Sequence, residues 1–164
     1  MADAMRGALV FPLLLLAAAP VQARERIGQY GGWGAFRDAQ PARCFAIAQP
    51  LWRKKHDPSF ADFTATPGGG PRRFHVRLSR APRPGRPVTL AIGDRHFTLL
   101  VHGSDAWGHD AREDGRIIAA ARNGDQMVVT ATRADGHRFR DFYALAGAAS
   151  AIDAATVACL QRRR

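Results

Sequence analysis

The chain has 164 residues and a formal net charge of +10 at neutral pH, with 24 Lys and Arg against 14 Asp and Glu. Hydrophobic residues make up 46% of it, too large a share for a disordered chain and enough for one packed core. Its longest apolar run, Ala8 to Ala19, falls short of the ~20 residues a bilayer-spanning helix needs, so a membrane span is not expected, an uncleaved N-terminal anchor being the alternative.

Met1 to Ala23 reads as an export signal: Arg6 supplies a positive start, the apolar run follows, and Val21-Gln22-Ala23 sets small residues at a cleavage site. Cleavage there leaves residues 24–164, the size of one domain, in the periplasm or at the outer surface, with no membrane span. Arg24 to Gly32 is polar and Gly-rich and reads as a flexible leader, so the folded domain is expected over 33–164.

Trp33 to Pro50 reads as an aromatic strand, a turn at Asp38-Ala39-Gln40-Pro41, and a second strand carrying Cys44. The second cysteine is Cys159. In an exported chain the two form the simplest disulfide framework; two free thiols or an intermolecular bridge are the alternatives. A redox role lacks the C-x-x-C spacing that lowers a thiol pKa.

Leu51 to Arg72 reads as loop, since Pro67-Gly68-Gly69-Gly70-Pro71 lacks the Gly-Lys-Ser/Thr of a phosphate loop. From Arg73 the period becomes two: Phe74, Val76 and Leu78, then Val88, Leu90 and Ile92, then Phe97, Leu99 and Val101. Turn residues separate the three runs, predicting consecutive antiparallel strands with one buried face. His102 to Asp114 reads as a loop anchored by Trp107. Asp114 to Asn123 is a predicted helix, with its acid at the positive end and Gly124 beyond the other. Gln126–Arg133 and Arg138–Leu145 are strands about an Asp135-Gly136 turn. Gly147 breaks the chain, and Ser150 caps a closing helix to Gln161 with Ile152, Ala155, Thr156 and Cys159 on one face. The class is mainly β, with six or seven strands, a mid-chain helix and a C-terminal helix.

These residues together resemble the invasion-associated locus B family of exported proteins. The resemblance is carried by the signal, by Trp33, Phe36, Asp38 and Arg43-Cys44, and by Ala106-Trp107 with Asp110. It continues through Ile117-Ile118, Arg122-Asn123-Gly124 and Met127-Val128-Val129, and ends on Gly136, Asp141, Tyr143, Leu145, Gly147, Ala151 and Cys159. It covers nearly all of the mature chain and implies an immunoglobulin-like antiparallel β-sandwich at the cell envelope. This chain lacks the extra cysteine near the start that many members carry, and so reads as a divergent branch.

Chemistry-bearing residues are few. His102, Asp105, His109 and Asp110 form the densest ligand-type group, but their spacing matches no metal motif and turn-forming roles explain them, so neither metal nor cofactor is expected. If the three alternating strands pair in order, His75, Arg77, His96 and His102 share one wet face. The basic signal is stronger: Arg72, Arg73, Arg77, Arg80, Arg83 and Arg86 fall in a stretch without acids, and Arg162-Arg163-Arg164 end the chain. Such a patch attracts polyanions, here anionic lipid, lipopolysaccharide or acidic glycan rather than nucleic acid, for which no recognition motif is present. GC-rich coding bias is the competing explanation, since only Lys54 and Lys55 among the cations are lysines. No nucleophile elbow and no sugar-cleaving acid pair are seen. The sequence thus reads as a non-catalytic envelope protein binding an envelope or host-surface component through a basic face. A periplasmic module that stabilises another envelope protein is second, and an unfamiliar hydrolase third.

Overall fold

Side chains alternate between two environments along most of the chain, and the backbone answers with strands. The computed structural model describes residues 24–52 and 54–161, so Met1–Ala23 and Arg162–Arg164 lie outside the described residues. In chain order the elements are β1 (Glu25–Tyr30), β2 (Trp33–Asp38), β3 (Arg43–Ala48), β4 (Phe60–Ala65), β5 (Arg73–Arg77), β6 (Val88–Ile92), β7 (Arg95–His102) and β8 (Asp105–Trp107). There follow α1 (Ala111–Asn123), β9 (Gln126–Thr132), β10 (Arg138–Ala144) and α2 (Ala148–Leu160). The strands form one antiparallel sheet in the order β1-β2-β3-β4-β5-β8-β7-β6-β9-β10.

Strand β7 is shared between the two halves of that sheet. Its residues Arg95–Leu99 pair with β6, while Leu100–His102 pair with β8. The halves fold towards each other across β7, and their apolar faces merge in one core that includes Trp33, Phe63, Phe74, Leu90, Met127, Val129 and Tyr143. The two ends of the sheet meet: the Trp33 indole Nε1 donates to the Ala144 carbonyl at 2.8 Å, and Leu51 N donates to Phe142 O at 2.7 Å. The fold is mainly β with one mid-chain and one C-terminal helix, as the sequence predicts.

Helix α2 closes the half built from β1–β4. Small residues on both sides make the approach close: Ala35, Ala46, Ala48, Ala61 and Ala65 from the strands, and Ala148, Ala151, Ala155 and Ala158 from the helix, are all buried. Cys44 of β3 is disulfide-bonded to Cys159 of α2, with Cα atoms 5.6 Å apart and both residues buried. The bridge is the intramolecular one. An Arg37 guanidinium donates to the Ala158 carbonyl, placing a cation at the negative end of the helix. The helix begins at Gly147, whose φ of 89° is left-handed and whose Cα faces Tyr30 so closely that a Cβ would sit 2.1 Å from the Tyr30 carbonyl oxygen.

Several sequence expectations change. There are ten strands among the described residues, against six or seven expected. The segment read as a flexible leader contains β1, held in register against β2 with an irregularity at Arg26/Gly28 that breaks its alternation. Part of the expected 51–72 loop is β4, whose inward residues Ala61, Phe63 and Ala65 alternate with Asp62 and Thr64. Part of the Trp107 loop is β8. Of the three alternating runs β6 and β7 pair antiparallel as expected, but β5 does not pair with β6: it lies between β4 and β8, and β6 lies between β7 and β9. The Pro-rich segment between Leu78 and Val88 carries the chain from one half to the other, fixed by Leu78 N to Ser104 O and Arg83 N to Thr132 O. The mid-chain helix is capped by Asp110, whose carboxylate accepts from Glu113 N at 2.8 Å, so Asp114 is a buried first-turn residue and not its start. Ser150 likewise lies inside α2, which has no side-chain N-cap.

Candidate functional site

Two polar surfaces emerge from this pairing, one on the outer side of each half. On the β4–β5–β8 half, registry sets Asp62, His75 and Trp107 side by side. The His75 ring makes two 2.9 Å bonds, Nδ1 to Asp62 and Nε2 to Asp105. A neutral imidazole has one N–H, so donating to both carboxylates requires the imidazolium. Burial pulls the His75 pKa down, and the two carboxylates outweigh it, leaving a net rise. Arg77 makes a two-pronged bond to Asp105, at 2.9 Å on each arm, and with His75 holds that carboxyl below its usual range. Trp107 stacks on His75 with centroids 5.3 Å apart, and Phe60 meets the ring edge-on. With both ring protons engaged by carboxylates, His75 is no free base; it is a clasp across three strands. Beside it a groove of about 410 Å³ is lined by Arg43, Thr64, Thr66 and Arg73.

The second surface belongs to β6, β7, β9 and β10. Arg140, Thr130, Thr89 and Thr98 are successive cross-strand partners, so a guanidinium and three hydroxyl residues form one row. Neighbouring strands lie about 4.8 Å apart, which spaces the row evenly. At the β10 edge the segment after β3 crosses over and opens a groove of about 630 Å³ lined by Leu51, Trp52, Lys54, Arg80, Arg133, Arg138 and Arg140, with Asp57 and Asp141 at its base. Both acids are committed. Asp141 is buried and accepts from Ser79 N at 2.9 Å and from the Ser79 hydroxyl. Burial raises its pKa, against the opposing Ser79 bonds. Asp57 accepts from the backbone and hydroxyl of Ser59 and faces Arg80 at 3.6 Å. Arg133 is paired with Asp135. Lys54, Arg138 and Arg140 are exposed, and their charged groups have no hydrogen-bond or ion-pair partner among the described residues. The groove rim is therefore positive.

The six arginines singled out in the sequence do not form one surface. Arg73 lines the smaller groove, Arg77 is neutralised by Asp105, and Arg80 faces Asp57. Arg72 acts on Asp153 of α2, while Arg83 and Arg86 sit on the exposed crossover. Only Arg73 and Arg77 lie on a strand, on one face of β5, and the crossover after Leu78 carries Arg80, Arg83 and Arg86 away from them. The set of His75, Arg77, His96 and His102 is also divided. His102 pairs across to Asp105 in the row of Arg77, whereas His96 lies on the far part of β7 beside Ala91. The residues of the HGSDAWGHD stretch have separate duties: Asp105 holds His75 and Arg77, Asp110 caps α1, and His109 N donates to Glu113. Among the described residues no three His, Cys, Asp or Glu side chains gather as a metal-ligand group. What the sequence leaves hidden is the meeting of Trp52 and Lys54 with Arg138 and Arg140; an aromatic followed by cations at 52–55 is its one local signal.

No protein-family model matches the chain, and no curated protein matches it. Among solved structures it is similar to the crystal structure of invasion associated protein B from Bartonella henselae, with a TM-score of 0.65 over 80% of this chain and 96% of that one. The likeness is one of fold. At 17% identity it supports the β-sandwich with its two helices and says nothing by itself about the grooves. No helix among the described residues is long and apolar enough to cross a membrane.

Proposed function

We propose that the chain is an exported, non-catalytic module that binds a polyanionic component of the cell envelope through the β10 groove. The observation that carries this reading is the set of Lys54, Arg138 and Arg140, three charged side chains around one opening without partners among the described residues. Unpaired cations at a concave surface focus field and raise the local concentration of anions. Export is supported by the signal-like start and by a buried disulfide of the type that persists in oxidising compartments. The fold similarity to invasion associated protein B is consistent with an envelope setting. The non-catalytic reading rests on how the polar groups are used: Ser59 and Ser79 donate to carboxylates and neither bonds an imidazole, and His75 has both nitrogens engaged. Anionic lipid, lipopolysaccharide and acidic glycans all offer the required charge.

Cosedimentation with vesicles of neutral and of mixed neutral–anionic lipid, and with lipopolysaccharide, tests the proposal. Binding to the anionic partners alone is expected. Equal retention on neutral and anionic vesicles, or none on any of them at low salt, would overturn it.

A further inference from the structure

We infer that the Leu51–Trp52 pair is an interfacial anchor that seats the β10 groove on an anionic lipid bilayer, a deepening that rests on the polyanion reading above. The two residues are adjacent in sequence, and both are exposed: Leu51 at 49% and Trp52 at 74%. An isolated exposed leucine needs no explanation, but a leucine and a tryptophan together at the rim of a cationic groove do.

Their presentation is built by the fold. Leu51 N is tied to Phe142 O, and the Trp52 ring rests edge-on against Phe142 with centroids 5.1 Å apart. Downstream, Asp57 N donates to Lys54 O at 3.1 Å, and His56 takes a left-handed φ of 66° to close that turn. The Asp57 carboxylate then fastens the loop through Ser59. The segment is thus held at both ends while its apolar side chains face solvent.

The combination selects the occupant. Lys54, Arg138 and Arg140 suit the phosphates of any polyanion, but Leu51 has nothing to offer a soluble polyphosphate or an acidic glycan. A bilayer satisfies both parts. Indole rings favour the headgroup level, where an apolar body and a polar N–H are solvated together. Basic side chains beside them gain from the negative surface potential of anionic lipid. Two apolar side chains with a few cations give reversible surface attachment, far short of a membrane span.

The test uses the oxidised chain with phosphatidylcholine vesicles, with and without phosphatidylglycerol, and inorganic polyphosphate as the soluble comparison. Trp33 is fully buried, Trp107 half-buried and Trp52 74% exposed, so the solvent-exposed part of the emission reports chiefly Trp52, and the Trp52→Ser variant supplies the contribution of Trp107. With anionic vesicles the emission is expected to move to the blue and to be quenched by brominated lipid. Trp52→Ser should weaken vesicle binding by about tenfold, the worth of one large apolar side chain leaving water, a clearly larger loss than the same change causes in polyphosphate binding. Unaltered melting of the variant confirms that the exposed site leaves the fold intact. Salt-sensitive vesicle binding with no emission shift, no bromolipid quenching and no effect of Trp52→Ser would refute the anchor and leave the polyanion reading standing. Loss of all vesicle and polyphosphate binding in the native chain at low salt would refute both.

Discussion

Replacing both Cys44 and Cys159 by alanine isolates the contribution of the disulfide that cross-links α2 to the sheet. The bridge closes a loop across a sequence separation of 115. In the chain-entropy treatment a loop of that length restricts the unfolded ensemble by an amount equivalent to about 5 kcal/mol at room temperature. For a domain of this size each kcal/mol moves the melting temperature by about 3 °C, so a fall of roughly 15 °C is expected. The native fold should survive the change, because alanine suits the small-residue interface of α2 with β3 and the Arg122–Asp153 pair still ties α1 to α2. Thermal and urea melts of the oxidised native chain and the double variant measure the difference, with thiol alkylation read by mass spectrometry as the control. A fall of less than about 3 °C would contradict the chain-entropy argument at this site. Alkylatable thiols in the native protein would contradict the bridge itself.

Other outcomes follow from single residues. His75 has a raised pKa in the fold, against 6.5 in the unfolded chain, so its clasp on Asp62 and Asp105 contributes fully below the unfolded value and is lost as pH rises through the folded one. Urea-unfolding free energies should therefore decline with pH across that window in the native chain and less steeply in His75→Gln; parallel slopes would dismiss the clasp. Gly147→Ala forces a side chain into a left-handed position and against the Tyr30 carbonyl, so a loss of at least about 2 kcal/mol is expected in the same assay. A change below about 0.5 kcal/mol, the size of an ordinary surface substitution, would show that β1 does not press on the start of α2 as described.

The legible parts of the sequence were those governed by local period and turn chemistry. Phe74, Val76, Val88, Leu90, Phe97 and Leu99 are buried as their alternation requires, and the Asp135-Gly136 turn joins β9 to β10. The pairing of Cys44 with Cys159 followed from there being two cysteines in an export-type chain. Strand β4 was harder to see because two of its three inward residues are alanines, which carry little contrast with Asp62 and Thr64 on the other face. Strand β8 spans three residues, too few for a period to show. The groove was hidden for a different reason. Lys54 and Arg140 come together only because the two ends of the sheet meet, and the sheet order that brings them there inserts β8 beside β5 and moves β6 next to β9. No local pattern encodes that order: the arginine run at 72–86 is contiguous in sequence, whereas the groove cations lie far apart in the chain.

The most direct test of the account separates the groove from the overall charge. Lys54, Arg138 and Arg140 changed together to glutamine should be compared with Arg26, Arg72 and Arg112 changed together to glutamine. The second set removes the same charge from exposed residues that do not line the groove. Cosedimentation of both variants and the native chain with anionic vesicles across a salt series gives the answer. A groove that works should make the first variant lose most of its low-salt binding and its salt dependence, while the second stays close to native. Equal losses in the two would mean that net charge alone draws this protein to anions, and the β10 groove would have no special part in it.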